Sequence, residues 1–238
     1  MTAIGWALVH FVWQGALIAV LLAFVLRGLR ESSPQMRYVA SCLSLLAMAL
    51  CVPATTLFLN GTDGAAEPSI NAFTGTREVI ANAYISQSAM HAFRAWLETH
   101  MHWVVLLWVM GASLLLLRSA GGWYVARKQS RLGLSLEYPL SKLMERLEMT
   151  GVVEIYKSAT TTTPQVFGWL KPVIVVPVAV LAQLPPEQLE AVLAHELAHI
   201  RRRDYLVNLL QTIVENVLFY HPAVWWTSSR IRMEREQC

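Results

Sequence analysis

Apolar positions follow two different patterns along this chain, and the change between them divides it. The first half holds three long stretches without a charge: Ala3 to Leu26, Tyr38 to Leu59, and the residues between Glu98 and Arg118. Each is long enough to cross a hydrocarbon layer of about 30 Å as a helix rising about 1.5 Å per residue. Spanning helices are therefore predicted at about 3–26, 38–59 and 99–120. No basic residue precedes the first stretch and no small-residue cleavage site closes it, so it reads as a span rather than a signal peptide. Residues 60–98, rich in small and polar types, predict an external loop with one amphipathic helix near Val79 to Leu97.

Beyond the third stretch the pattern shortens. After Gly121-Gly122, Leu140 to Leu147 predicts a short helix ended by Gly151, and Val152 to Tyr156 a strand. Thr160 to Thr163, before Pro164, predicts a loop. Pro172-Val173-Ile174-Val175-Val176-Pro177 is a β-branched strand with proline at both ends, which places it at a sheet edge. Such an edge either accepts a substrate strand or is blunted against aggregation. Pro185-Pro186-Glu187 opens a helix running to about Arg203. Arg201-Arg202-Arg203 suits either its last turn at a membrane surface or a plain solvated charge run. Tyr205 to Trp226 is apolar but broken by Asn208, Gln211, Glu215, Asn216 and His221. Leu206, Leu209, Leu210, Ile213, Val217 and Leu218 recur at helical spacing. This is an amphipathic helix, packed on the preceding one or dipping into the interface and ending at Pro222. Arg230 to Cys238 predicts a charged returning helix. The fold class expected is thus a mainly α membrane protein, with a transmembrane region at 1–126 and an α+β domain with a small sheet at 127–238.

Composition agrees: 55% of the 238 residues are hydrophobic and 15% charged, and the mean hydropathy is +0.43. Soluble domains carry nearer a quarter charged residues. Basic residues set the orientation. Arg27, Arg30 and Arg37 follow the first span; Arg118, Arg127, Lys128, Arg131, Lys142 and Arg146 follow the third. Both regions are expected to be cytoplasmic, with the N-terminus and the 60–98 loop outside. The net charge of +3 is mostly that bias. No basic, aromatic-interleaved patch points to nucleic acid. Three cysteines make no disulfide framework, and Cys42 and Cys51 read as packing residues of the second span. His10 and Gln14 are four apart in the first span, as for interhelical hydrogen bonds.

The candidate chemistry lies at His195-Glu196-Leu197-Ala198-His199. Residues four apart on a helix are offset by only about 40°, so both imidazoles leave one face and can grip one metal ion. Glu196 is placed to act as general base on a water at that ion. Two surface histidines meeting by chance is the plainer alternative. A catalytic zinc site takes three protein ligands and a water, and Glu215, Glu234 and Glu236 are the candidates for the third, with His221 as an outsider. Glu215-Asn216 is a poor match to the thermolysin-like arrangement. His221, Tyr220 and Tyr205 are the candidate oxyanion donors.

PQVFGWLKPVIVVP before this motif, HELAHIRRRDY at it, FYHPAVWW after it and REREQC at the end resemble the membrane metallopeptidases of the β-lactam sensor and antirepressor type. The resemblance covers essentially the whole chain. It implies a gluzincin-like Zn2+ site of His195, His199 and Glu236, with Glu234 in a similar setting, and Glu196 as general base. It further implies a multi-pass protein of the bacterial inner membrane that cleaves a protein on the cytoplasmic side, as the output of a signalling system acting on a repressor or on itself. Expected partners are a protein or peptide substrate, the bilayer and a second copy of the chain, with no direct nucleic-acid contact. The resemblance would continue past Cys238 with an aspartate, a further span and often an external sensor domain, so a shortened chain is expected. The alternatives are a general membrane quality-control or maturation protease, and a non-catalytic receptor or scaffold with a structural metal site, which would be closed by four protein ligands.

Overall fold

The computed structural model describes residues 2–62, 77–131, 134–136, 138, 140–149, 153–159, 161–167 and 172–237. In order, the elements are α1 (Thr2–Gly28), α2 (Pro34–Thr62), α3 (Arg77–Arg131), β1 (Leu134–Ser135), α4 (Ser141–Arg146), β2 (Glu154–Ser158), β3 (Gln165–Phe167), β4 (Val173–Pro177), α5 (Val178–Gln183), α6 (Pro186–Arg201), α7 (Asp204–Val217) and α8 (Pro222–Gln237). They form two compact units, Met1–Leu114 with Val217–Cys238, and Leu115–Asn216.

Three helices are long and apolar enough to cross a membrane: Thr2–Gly28, Pro34–Gly61 and His91–Val125. The spans expected from the sequence fall inside them. The external amphipathic helix is not separate, because α3 runs without a break from Arg77 to Arg131. No glycine or proline interrupts it before Gly111, so nothing in the sequence stops the helix. Residues 63–76 of the expected loop lie outside the described residues.

In the first unit, α1 and α2 pack together and α8 packs against both. Phe11, Leu22, Leu45, Met48, Met101 and Ile231 are fully buried, while Leu17, Leu21, Phe24, Leu43 and Leu57 point outward as lipid-facing residues do. Helices in lipid gain no hydrophobic attraction for one another, so close approach and hydrogen bonds hold them. Gly15 lets the His221 ring close on α1, where a Cβ would stand 3.0 Å from that ring. Gly111 does the same for Phe219, at 2.7 Å. Gln14 donates to Thr55 Oγ1 across α1 and α2 at 3.2 Å, as expected. His10 instead accepts from Trp13 on its own helix.

The second unit is built on a four-stranded sheet of order β1-β2-β4-β3. β2 and β4 are parallel, with Glu154 opposite Val173 and Ser158 opposite Pro177; β1 and β3 close the two sides antiparallel. The expectation that Val173 to Val176 forms an edge is overturned. β4 is central, and Ile174, Val175 and Val176 are fully buried. Its prolines lie before the strand and at its last residue, where a missing N–H interrupts no rung between them. The same residues show why a strand buried on both faces is continuously apolar.

Helix α6 covers the sheet. Leu189, Leu193, Leu197 and Ile200 recur at spacings of four, four and three and join Ile155, Ile174 and Val176 in one core. Two-proline entry at Pro185-Pro186 starts the helix, and Arg203, with φ of 57°, turns the chain out of it. A non-glycine residue in that left-handed region costs roughly 1–2 kcal/mol. The amphipathic helix expected from Tyr205 to Pro222 is α7, which stops earlier, at Val217, and the charged returning helix expected from Arg230 is the end of α8, which already opens at Pro222.

Candidate metal centre

The fold of α6 sets the site before any ligand does. With Leu193 and Leu197 turned into the core, His195 and His199 must leave the opposite face. Their Nε2 atoms stand 3.1 Å apart, with the rings nearly perpendicular at 88°. Two nitrogens on one tetrahedral zinc, each about 2.0–2.1 Å from it, are about 3.3 Å apart. This donor pair therefore fits a divalent transition metal. Glu196 lies between them in sequence, half-buried on the same helix.

A residue not foreseen from the sequence orients the second imidazole. His199 Nδ1 donates to Asp204 Oδ2 at 2.7 Å, which leaves Nε2 as the bare nitrogen. Asp204 is buried, and the Arg202 guanidinium, donating to the same oxygen at 2.9 Å, compensates its charge. The left-handed turn at Arg203 delivers this carboxylate, because it brings the first residue of α7 back against the end of α6. The signal was present in RRRD: a carboxylate a few residues beyond a ligand histidine, with arginine beside it. Arg202 is thus the ion-pair partner of a buried carboxylate rather than a plain solvated charge.

Of the candidates for a third ligand, Glu215 is half-buried on α7. Among the described residues of the second unit, no further His, Cys, Asp or Glu forms a three-donor group with His195 and His199. Glu234 and Glu236 lie on α8 in the first unit. Glu234 is committed to Arg37, whose Nε donates to its Oε2 at 2.7 Å, with side chains only 18% and 9% exposed. Glu236, two residues on and so on the other side of the helix, is exposed. His221 is excluded as a ligand or oxyanion donor by its bonds: Nε2 donates to the Val12 carbonyl at 2.9 Å and Nδ1 accepts from the Ala223 amide at 3.1 Å. Tyr220 donates to the Leu8 carbonyl at 3.1 Å. Both are structural, and Tyr205 is half-buried at the start of α7.

A family model described as BlaR1 peptidase M56 matches residues 10–238. The chain belongs to that family. It is 25% identical to the regulatory protein BlaR1 of Bacillus licheniformis over 138 residues, which cover 55% of this chain and 22% of that protein. To the methicillin resistance mecR1 protein of Staphylococcus aureus it is 26% identical over 132 residues, 51% of this chain and 22% of the other. A shorter match, 42% identical over 50 residues, links it to protease HtpX homolog 2 of Methanosarcina mazei, covering 21% of this chain and 17% of that one. This M56 chain therefore corresponds to about a fifth of the BlaR1 and mecR1 proteins it matches. Family and helices together make it a membrane protein with a peptidase fold.

Proposed function

We propose that this M56 chain is a zinc-dependent endopeptidase of the bacterial inner membrane, with His195, His199 and Glu236 as ligands and Glu196 as general base. The observation that carries the reading is the 3.1 Å approach of two Nε2 atoms, one of them backed by a buried carboxylate. Zinc held there supplies a polarised scissile carbonyl and a water whose pKa falls towards about 7. Glu196 takes the proton from the attacking water and returns it to the leaving amine. Asp204 holds His199 in the tautomer that binds metal. Glu236 is favoured as third ligand on three grounds. The resemblance at REREQC points to it, the second unit offers no third donor of its own among the described residues, and Arg37 occupies Glu234.

The distribution of lysine and arginine supports a cytoplasmic active site. Because β4 is central, the strand a peptide would extend is β3, which ends the sheet and borders α6. The likeness to regulatory and resistance proteins supports signal output as the role, with a repressor or the chain itself as substrate and a second copy as a further partner. The match to a protein named simply as a protease, together with the three apolar helices, favours a second reading, a general membrane-protein quality-control or maturation protease. One regulatory target in a substrate screen selects the first; broad cleavage of misfolded membrane proteins selects the second. For the mechanism, Glu196→Ala is expected to retain zinc and lose about 100- to 10,000-fold in cleavage rate. Undiminished proteolysis by that variant removes Glu196 from the reaction, and a variant without zinc removes the assignment of roles.

A further inference from the structure

Helix α7 is inside out for a helix in water. Leu206, Leu209, Leu210 and Ile213 are 39–51% exposed and form one continuous stripe about 100° wide. The groups it buries are Asp204 and Gln211, at 5% and 1% exposure, with Val214 beside them. Apolar residues outward and polar ones inward is the arrangement lipid selects and water opposes.

The end of α7 shows at what level this stripe lies. Asn216 Nδ2 donates to Ser119 Oγ at 2.8 Å, and the Trp108 indole donates to the Val217 carbonyl at 2.7 Å. Both belong to α3, the Trp108 donor within its charge-free stretch and the Ser119 acceptor just past Arg118 at the end of that stretch, so the end of α7 lies from the expected cytoplasmic edge of the span inward. At 14 residues, α7 is about 21 Å long and too short to cross a layer of about 30 Å. The chain that follows breaks helical form at residues 218–221, a break tolerated at membrane depth only where protein sheathes it. Here it is sheathed. Leu218 and His221 are buried, Trp108 takes the Val217 carbonyl, and His221 and Tyr220 donate to carbonyls of α1.

We propose that α7 is a re-entrant helix lodged in one leaflet, with Leu206, Leu209, Leu210 and Ile213 against lipid acyl chains. The exposed basic residues Arg201 and Arg203, just before it, then lie at headgroup level. Asp204 is both the first residue of α7 and the partner of His199, so the depth of α7 fixes the height of the HELAH motif at the bilayer surface. The substrate bond is met there, on a segment close to the membrane. The depth of α7 rests on the span and the α7 contacts alone, whereas the meeting of a substrate bond there rests on the proposed peptidase site.

The test uses the full chain with Cys42, Cys51 and Cys238 changed to alanine and a spin label at Leu206→Cys, Leu209→Cys or Ile213→Cys. Each is reconstituted in vesicles of phosphatidylethanolamine and phosphatidylglycerol. All three labels point outward, so they test one stripe independently. The expected result is more frequent collision with oxygen than with a water-soluble nickel chelate, increasing in depth from Leu206 to Ile213. Preference for the chelate overturns the proposal by placing the stripe in water. Protection from both reagents overturns it by placing protein there, and spin–spin broadening between labels identifies that protein as a second copy.

Discussion

Among the described residues, each unit buries one carboxylate against an arginine, and the two pairs differ in reach. Asp204 in the second unit is held by Arg202 and His199, neighbours on the same turn of chain. Glu234 in the first unit is held by Arg37, 197 positions away, which also donates to Gln237 Oε1 at 3.0 Å. The local pair adjusts one ligand. The distant pair fastens α8 to the start of α2 and closes the unit. A buried ion pair gains little over apolar side chains of the same shape, yet leaving either partner alone is costly. Each pair should therefore fail in its own way when broken.

The largest effect is expected from Arg37→Gln, which strands the Glu234 charge in a buried setting and should destabilise the full chain by about 3–5 kcal/mol. Thermal unfolding in detergent measures it. Replacing both Arg37 and Glu234 by methionine should recover most of the loss, because no buried charge is then uncompensated. A single variant as stable as the parent would show that the distant pair fastens nothing. Asp204→Ala should act on the metal instead, weakening zinc binding about 10- to 100-fold in a chelator competition, with Asp204→Asn in between. That corresponds to about 1.4–2.8 kcal/mol. Unchanged zinc affinity in Asp204→Ala would dissolve the contrast, since Asp204 would then only pack.

The difference in reach also explains what could be read without coordinates. The three spans and α6 declared themselves because charge-free length and the Leu189, Leu193, Leu197, Ile200 period are local facts. HELAH did so for the same reason. The central place of β4 is not legible because proline at a strand's ends resembles proline at a sheet's edge until the partners are known; β1 and β3, two and three residues long, carry no period at all. Asp204 is legible in RRRD only once its partners are known, because three arginines in a row read as surface. Arg37 and Glu234 were not legible, because nothing in either segment names the other. The commitment of His221 to α1 was equally hidden, since it depends on the absence of a side chain at Gly15.

The smallest effect tests the neutral counterpart of these pairs. Gln14 and Thr55 bridge α1 and α2 within the spans through one amide and one hydroxyl, with no charge to strand. In the membrane such bonds contribute about 0.6 kcal/mol on average, because the separated helices find other partners. Gln14→Leu is accordingly expected to change stability by about that amount, and Thr55→Val together with it by no more. A Gln14→Leu loss as large as that of Arg37→Gln would mean that the polar seam between α1 and α2, rather than the ion pair to α8, is what holds the membrane unit closed.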